Sequence, residues 1–366
     1  MPVRPDRLRI AAISYGLPVP GLKRGGIERV ADMLADGLAR RGHDVTVFTH
    51  DPKPANAAYG VRALPWKGFV DTWLGRRMTM GYLGNFLAVV PNYSQFDVIV
   101  AHGDSLLLPL AGKPLVRIMH GSALGEARSA RSAARFVLQM GVYGQELLTA
   151  MFQKGVVAVS DGTRRDNPFA RRTIPLGFDE AIFTPEPRLR TVEPSLLFVG
   201  TLGGRKRGEF LLRLFETAIR SVRPDATLTI VGEEGPPSPG VTYRIGVADT
   251  ELATLYRRAW LYATPSTYEG FGLPYLEAMA CGTPVVATPN PGSLEILDGG
   301  RYGALSTDDE FAQTVLTLLA DEHARADLAE RGLARARHYT LATMLDRYEA
   351  LLFELLEGHV RRVVSL

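Results

Sequence analysis

Apolar runs that end in loops and lead into helices recur along this chain, and the pattern starts twice. Leu8 to Ser14 reads as a buried strand, Tyr15 to Gly26 as a Gly/Pro-rich loop, Ile27 to Arg41 as an amphipathic helix and Val45 to Thr49 as a second strand. This βαβ opening restricts the fold severely, because parallel neighbours need a crossover between them. Further strands are predicted at Val98 to Ala101, Val116 to His120 and Val156 to Val159. The pattern restarts with Leu196 to Val199, a helix near Gly208 to Arg220, Leu228 to Val231, a helix over Thr250 to Trp260, and strands at Leu261 to Ala263 and Val285 to Ala287. The expected class is α/β, with two doubly wound Rossmann-like domains facing across a cleft. A length of 366 residues, 46% of them apolar, suits two such cores.

Four prolines between Pro175 and Pro194 mark a linker, and Glu233 to Gly240 reads as a surface loop. Asp308 to Arg337 reads as two polar-faced helices, and Leu341 to about Gly358 as a terminal one. The net charge of +3 argues against a dedicated nucleic-acid binder. One cysteine, Cys281, excludes an intramolecular disulfide or a Cys-cluster metal site and reads as a small core residue. The apolar run Ile10 to Ile13 is too short for a signal-peptide core or a membrane span, so a cytoplasmic protein is expected.

Residues 265–290 carry the chemistry. Leu261 to Ala263 is followed by Gly270 and Gly272, then by a helix expected over Pro274 to Cys281 and stopped by Gly282. Free amides at that helix start, with the positive dipole end, suit a diphosphate and sugar hydroxyls. Glu269 and Glu277 flank the amides, and each carboxylate can accept from a pair of sugar or ribose hydroxyls.

Glu269-x7-Glu277 enclosing Gly270-Phe271-Gly272-Leu273-Pro274 resembles the donor site of glycosyltransferase family 4, the retaining, group 1 type GT-B enzymes. Other pieces follow the family's order: Gly25-Gly26-Ile27-Glu28, His120-Gly121, Val157 to Ser160, Ile174 to Asp179, and Phe198-Val199-Gly200 before Arg205-Lys206. The resemblance implies transfer of a sugar from a nucleotide-diphosphate donor to an acceptor hydroxyl with retention, by front-face attack assisted by the departing phosphate. It implies an acceptor domain over 1–180, a donor domain over 181–340, and a terminal helix over 341–366 packing back on the first.

In that frame Lys206 neutralises the leaving diphosphate, His120 contacts the transferred sugar, and Glu269 positions donor hydroxyls. Gly25 and Gly26 either approach the diphosphate or simply form a flexible turn. Thr201 stands where the family usually has Arg after Val-Gly, so Arg205 or Arg207 supplies any second cation. Arg244 and Ile245 open the stretch 244–247 expected near the donor base. His102 and Asp104 either face the acceptor or form a satisfied turn, while Ser160 reads as a helix cap and His43 as structural. No Asp-x-Asp or His-x3-His set occurs, so no metal and no cofactor beyond the donor substrate is expected. A carbohydrate, lipid-linked or small-molecule acceptor fits. Trp66, Lys67, Phe69, Trp73, Arg76, Arg77 and Tyr82 could dock on anionic lipid at the membrane's inner face, and Arg128, Arg131 and Arg135 form either a further basic stripe or a solvated face. A sugar-nucleotide epimerase and a turnover-dead GT-B binding protein are the competing readings.

Overall fold

The structure is a computed structural model describing residues 7–18, 25–65, 88–103, 105–130 and 132–364, with side chains to residue 359. Trp66 to Tyr82, Asp104 and Arg131 lie outside the described residues. The chain divides into two compact units, one formed by Met1–Pro175 with Met344–Leu366 and the other by Leu176–Thr343.

The first unit carries β1 (Arg9–Ile13), α1 (Gly26–Arg40), β2 (Asp44–Thr49), β3 (Gly60–Ala63), β4 (Val98–His102), β5 (Leu115–Met119), α2 (Ala123–Arg128), α3 (Ala133–Met151), β6 (Gly155–Ala158), α4 (Asp161–Asp166) and β7 (Arg172–Thr173). Its sheet is parallel, in the order β3-β2-β1-β4-β5-β6-β7. The central strands β4, β5 and β6 are buried throughout and are mostly apolar, although β5 carries Arg117, 2% exposed, at its centre and β4 ends in His102. Around β1 the core gathers Ile13, Phe48, Tyr93, Phe96 and Ile99.

The second unit carries β8 (Ser195–Val199), α5 (Gly208–Leu214) continued by a π turn at Phe215–Ile219, β9 (Thr227–Val231), β10 (Val241–Arg244), α6 (Asp249–Arg258), β11 (Leu261–Thr264), α7 (Leu273–Ala280), β12 (Val285–Ala287), α8 (Pro291–Ile296), β13 (Ala304–Leu305), α9 (Phe311–Ala320) and α10 (Glu322–Ala336). Its sheet, also parallel, runs β10-β9-β8-β11-β12-β13. Phe198, Phe215, Phe311, Ile230 and Leu261 fill its core. The last helix, α11 (Leu341–Val364), begins in the second unit and continues in the first. There Glu349 accepts from His43 Nε2 at 2.9 Å while His43 Nδ1 accepts from the Leu8 amide at 3.2 Å, a structural role for this histidine.

The proline-rich stretch 175–194, read as an interdomain linker, begins where the two units divide and packs on the second: Phe183 is buried, Phe178 pairs with Thr340, and Arg257 donates to the carbonyls of Ile182 and Thr184 at 2.7 Å each. The edge strands β3 and β10 were unforeseen, because each has one bonded neighbour and is largely exposed, so neither carries an apolar run.

Candidate active site

In the second unit a tight turn after β8 brings two cations to one carboxylate. A Cβ added at Gly200 would lie 3.1 Å from Lys206 Cβ, so the chain folds closely back on itself. Thr201 Oγ1 closes the turn by donating to the Gly203 carbonyl at 2.8 Å, and the Leu202 amide donates to the Glu233 carboxylate. One 3-10 turn, Gly204–Lys206, then presents the cations. Lys206 Nζ lies 2.6 Å from Glu269 Oε1, and Arg205 Nη1 lies 2.8 Å from Glu269 Oε2. Arg205 Nη1 also donates to the Tyr268 carbonyl at 2.7 Å, and the Thr267 amide donates to the Arg205 carbonyl at 2.9 Å. Because β8 and β11 are neighbours, these bonds tie together the loops at their carboxyl ends, where doubly wound sheets bind ligands.

Glu269 is buried. Burial alone would raise its pKa, but the charges of Lys206 and Arg205, with hydrogen bonds from Lys206 and Ser266, outweigh it and leave the group at about 2. An acid that strong has no proton to give at neutral pH. It can accept hydroxyls or face positive charge, but it cannot serve as a general acid.

Of the two arginines proposed as second cation, Arg205 reaches Glu269 and Arg207 does not. Arg207 adopts a left-handed φ of 57°, donates to both Asp308 oxygens at 2.8 and 2.6 Å, and lies 4.2 Å from the Phe210 ring centroid. Gly272 caps α7 with φ 102°, and an added Cβ there would lie 2.3 Å from the Tyr275 ring, so only glycine fits at this helix start. Gly270 is half-buried just before it. Phe271 and Leu273 turn their side chains into the core, leaving only backbone for a ligand. Glu277 has no exposed surface and accepts from Tyr256 Oη at 3.4 Å, so its carboxylate is more enclosed than the sequence suggested. Arg244 and Ile245 are exposed at the end of β10.

The sequence reading missed the support beneath Glu269. Asn290 Nδ2 donates to the Ser266 carbonyl at 3.0 Å and to Tyr275 Oη at 3.1 Å, while the Asn290 side chain caps α8 in a reciprocal box with Ser293. A Cβ on Gly292 would lie 2.9 Å from Glu269 Cβ. Asn290-Pro291-Gly292 directly after an apolar strand was the available signal, being a helix-start pattern at another strand's carboxyl end.

In the first unit Gly25 is the N-cap of α1 and Gly26 its first residue, and a Cβ on Gly26 would meet nothing within 4 Å. His102 ends β4 and His120 follows β5; His102 Nδ1 and His120 Nε2 are 3.0 Å apart, with rings stacked at 5.2 Å and 20°. One nitrogen must donate and the other accept, so at least the accepting imidazole is neutral. Burial lowers His120 to about 4, and burial reinforced by the His120 charge lowers His102 well below the usual value. Ser160 caps α4 by accepting from the Thr163 amide at 2.9 Å. Among the described residues no group of three or more His, Cys, Asp or Glu side chains is placed to hold a metal ion.

Comparison with known proteins agrees with both halves of this geometry. Residues 24–167 match the family model described as Glycosyltransferase Family 4, and residues 193–321 the one described as Glycosyl transferases group 1. A D-inositol 3-phosphate glycosyltransferase of Kineococcus radiotolerans is 28% identical over 387 residues, covering 86% of this chain and 87% of that protein. Sucrose-phosphate synthase from Thermosynechococcus elongatus superimposes with a TM-score of 0.74 at 22% identity, over 98% of this chain and 99% of that one. HepE from Anabaena, solved in complex with UDP and glucose, gives a TM-score of 0.70 at 19% identity over 94% and 99% of the respective chains.

Proposed function

We propose, from the premise that this chain belongs to the family 4, group 1 glycosyltransferases of GT-B fold, that it moves a sugar from a nucleoside diphosphate to an acceptor hydroxyl with retention and without a metal ion. The observation that carries this reading is the Arg205–Glu269–Lys206 cluster beside the Gly272-capped start of α7. As the bond between the anomeric carbon and the diphosphate oxygen breaks, negative charge grows on the leaving oxygen. Lys206 and Arg205 are the groups to meet it, with the N-terminus of α7 adding backbone dipole. Glu269, ionised throughout, holds donor hydroxyls and faces the positive charge at the anomeric carbon. The acceptor oxygen bonds that carbon from the side the diphosphate leaves, and the acceptor proton passes to the departing phosphate oxygen. His120 meets the transferred sugar as a neutral imidazole, and Glu277 the ribose diol.

The relatives' ligands make a uridine diphosphate sugar the first donor to try, since HepE was solved with UDP. A melting panel of UDP, GDP, dTDP and ADP sugars tests this: a donor at about a hundred times its dissociation constant adds roughly 2.7 kcal/mol of stability. With the donor in hand, initial rates with and without EDTA and the product's anomeric configuration by NMR test the mechanism. Rates unchanged by chelation and a retained configuration are expected. An inverted product would remove the front-face mechanism, and loss of activity restored only by metal would remove the all-cation site.

A further inference from the structure

The turn that presents Arg205 and Lys206 ends on a strained residue. Among the described residues only Arg207 and Asp298 hold a left-handed φ without being glycine, at 57° and 47°. Aspartate is one of the short polar types that tolerate this conformation, whereas arginine carries the clash of its Cβ with the following carbonyl oxygen. Glycine would adopt the same backbone freely. Strain of this kind persists where the surroundings fix it, and it gathers at functional sites.

Here the surroundings are a carboxylate and two rings. Arg207 Nη1 and Nη2 donate to Asp308 Oδ1 and Oδ2 at 2.8 and 2.6 Å, and the guanidinium carbon lies 4.2 Å from the Phe210 ring centroid. Phe210 in turn meets Phe311, the first residue of α9, edge-on with centroids 6.5 Å apart. Asp308 stands in the connection from β13 to α9, so both contacts tie the turn after β8 to that connection, although β11 and β12 lie between β8 and β13 in the sheet. The Arg207 side chain is 12% exposed and that of Asp308 48%. A half-solvated pair adds little stability, but a two-bonded fork fixes a guanidinium in direction as well as in distance.

The fork acts on the residue next to Lys206. Arg207 closes the Gly204–Lys206 turn and caps α5, its carbonyl accepting from the Phe210 and Leu211 amides at 3.0 and 3.3 Å. The Gly208 and Glu209 amides donate back to the carbonyls of Thr201 and Leu202 at 3.2 and 2.9 Å, so the Arg207 backbone sets the angle at which the turn meets α5. We propose, on the premise that the chain transfers a sugar, that Arg207 and Asp308 are positioning residues, their fork holding the turn so that Lys206 Nζ stands 2.6 Å from Glu269 and faces the departing diphosphate.

Two variants separate position from stability. Arg207→Gly removes the fork and the ring contact but takes the left-handed conformation without strain, so it should melt close to the wild type. Asp308→Asn keeps the arginine and weakens the fork. With the donor that the melting panel selects, each should lose about tenfold in kcat for release of the nucleoside diphosphate while the donor KM changes less than about threefold. The double variant should lose no more than the worse single one. Hydrogen exchange over residues 200–208 should quicken in both; Asp308→Asn carries no new glycine, so the change there cannot come from glycine's own freedom. A wild-type kcat in Arg207→Gly, strictly additive losses, or rates that fall only as far as the melting midpoint falls overturn the proposal. A wild type that turns over no nucleotide sugar removes the sugar-transfer premise instead, and exchange alone then decides whether the fork holds the turn, with unchanged exchange in Asp308→Asn overturning it.

Discussion

Glu269 and Glu277 are the same residue type eight positions apart, and the structure gives them different surroundings. Glu269 sits between two cations at a loop, whereas Glu277 is enclosed within α7 against the Tyr256 phenol. Lys206→Ala should therefore act on turnover: it strands charge on the departing diphosphate, a loss of several kcal/mol of transition-state stabilisation if the bound donor excludes water from the site. Glu277→Gln should act on nucleotide affinity, about tenfold, with little change in the rate of the bound complex. Isothermal titration with nucleotide beside single-turnover rates separates the two. A Glu277→Gln variant that loses melting temperature but no nucleotide affinity would make that carboxylate a structural group of α7.

At the scale of elements, the site depends on how one helix begins. Gly272 holds a φ that side-chain-bearing residues rarely adopt, and its missing Cβ leaves room for the Tyr275 ring, whose hydroxyl accepts from Asn290. Gly272→Ala should lower stability by about 2–3 kcal/mol, the strain of a left-handed alanine plus displacement of that ring. It should also weaken nucleotide binding, because the first turn of α7 and the Asn290 support shift together. A melting curve and a nucleotide titration on the variant read both effects; an unchanged melting midpoint would mean that α7 can start without this glycine. Element type was largely legible beforehand: β12 spans Val285–Ala287 as read, and α6 and the two helices after Asp308 fall within a few residues of expectation. Element ends were less so: α7 starts at Leu273, one residue early, because Gly272 provides the turn that Pro274 was expected to follow.

For the whole molecule, folding is linked to pH through the two histidines of the first unit. Both have folded pKa values below the unfolded value of 6.5, with His120 at about 4. Between those limits the unfolded chain takes up protons that the folded chain refuses. Stability from this source is complete above pH 6.5 and is lost as pH falls towards 4, by at most about 3 kcal/mol for His120. Glu269 has the opposite chemistry but the same sign, its share being lost only as pH falls below 4.5 towards about 2. Melting midpoints measured from pH 7 to 4 should therefore fall, and His102→Asn/His120→Asn should flatten that fall. An equal slope in wild type and variant would mean that the pair titrates freely in the folded protein.

By itself the sequence determined two parallel α/β domains and the Glu269-to-Glu277 junction, because buried parallel strands, helix starts and turn residues are local patterns that survive without any partner in view, and the resemblance of that junction and the motifs around it to known enzymes implied the glycosyltransferase family. Tertiary structure alone decided that Arg205, 64 positions from Glu269, takes the carboxylate while Arg207 goes to Asp308, that His102 and His120 meet, and that Asn290 supports the loop. It also decided that Glu277 is buried against the Tyr256 phenol. Charge pairing and burial are set by what the fold brings within a few ångströms, and spacing along the chain carries no record of that distance.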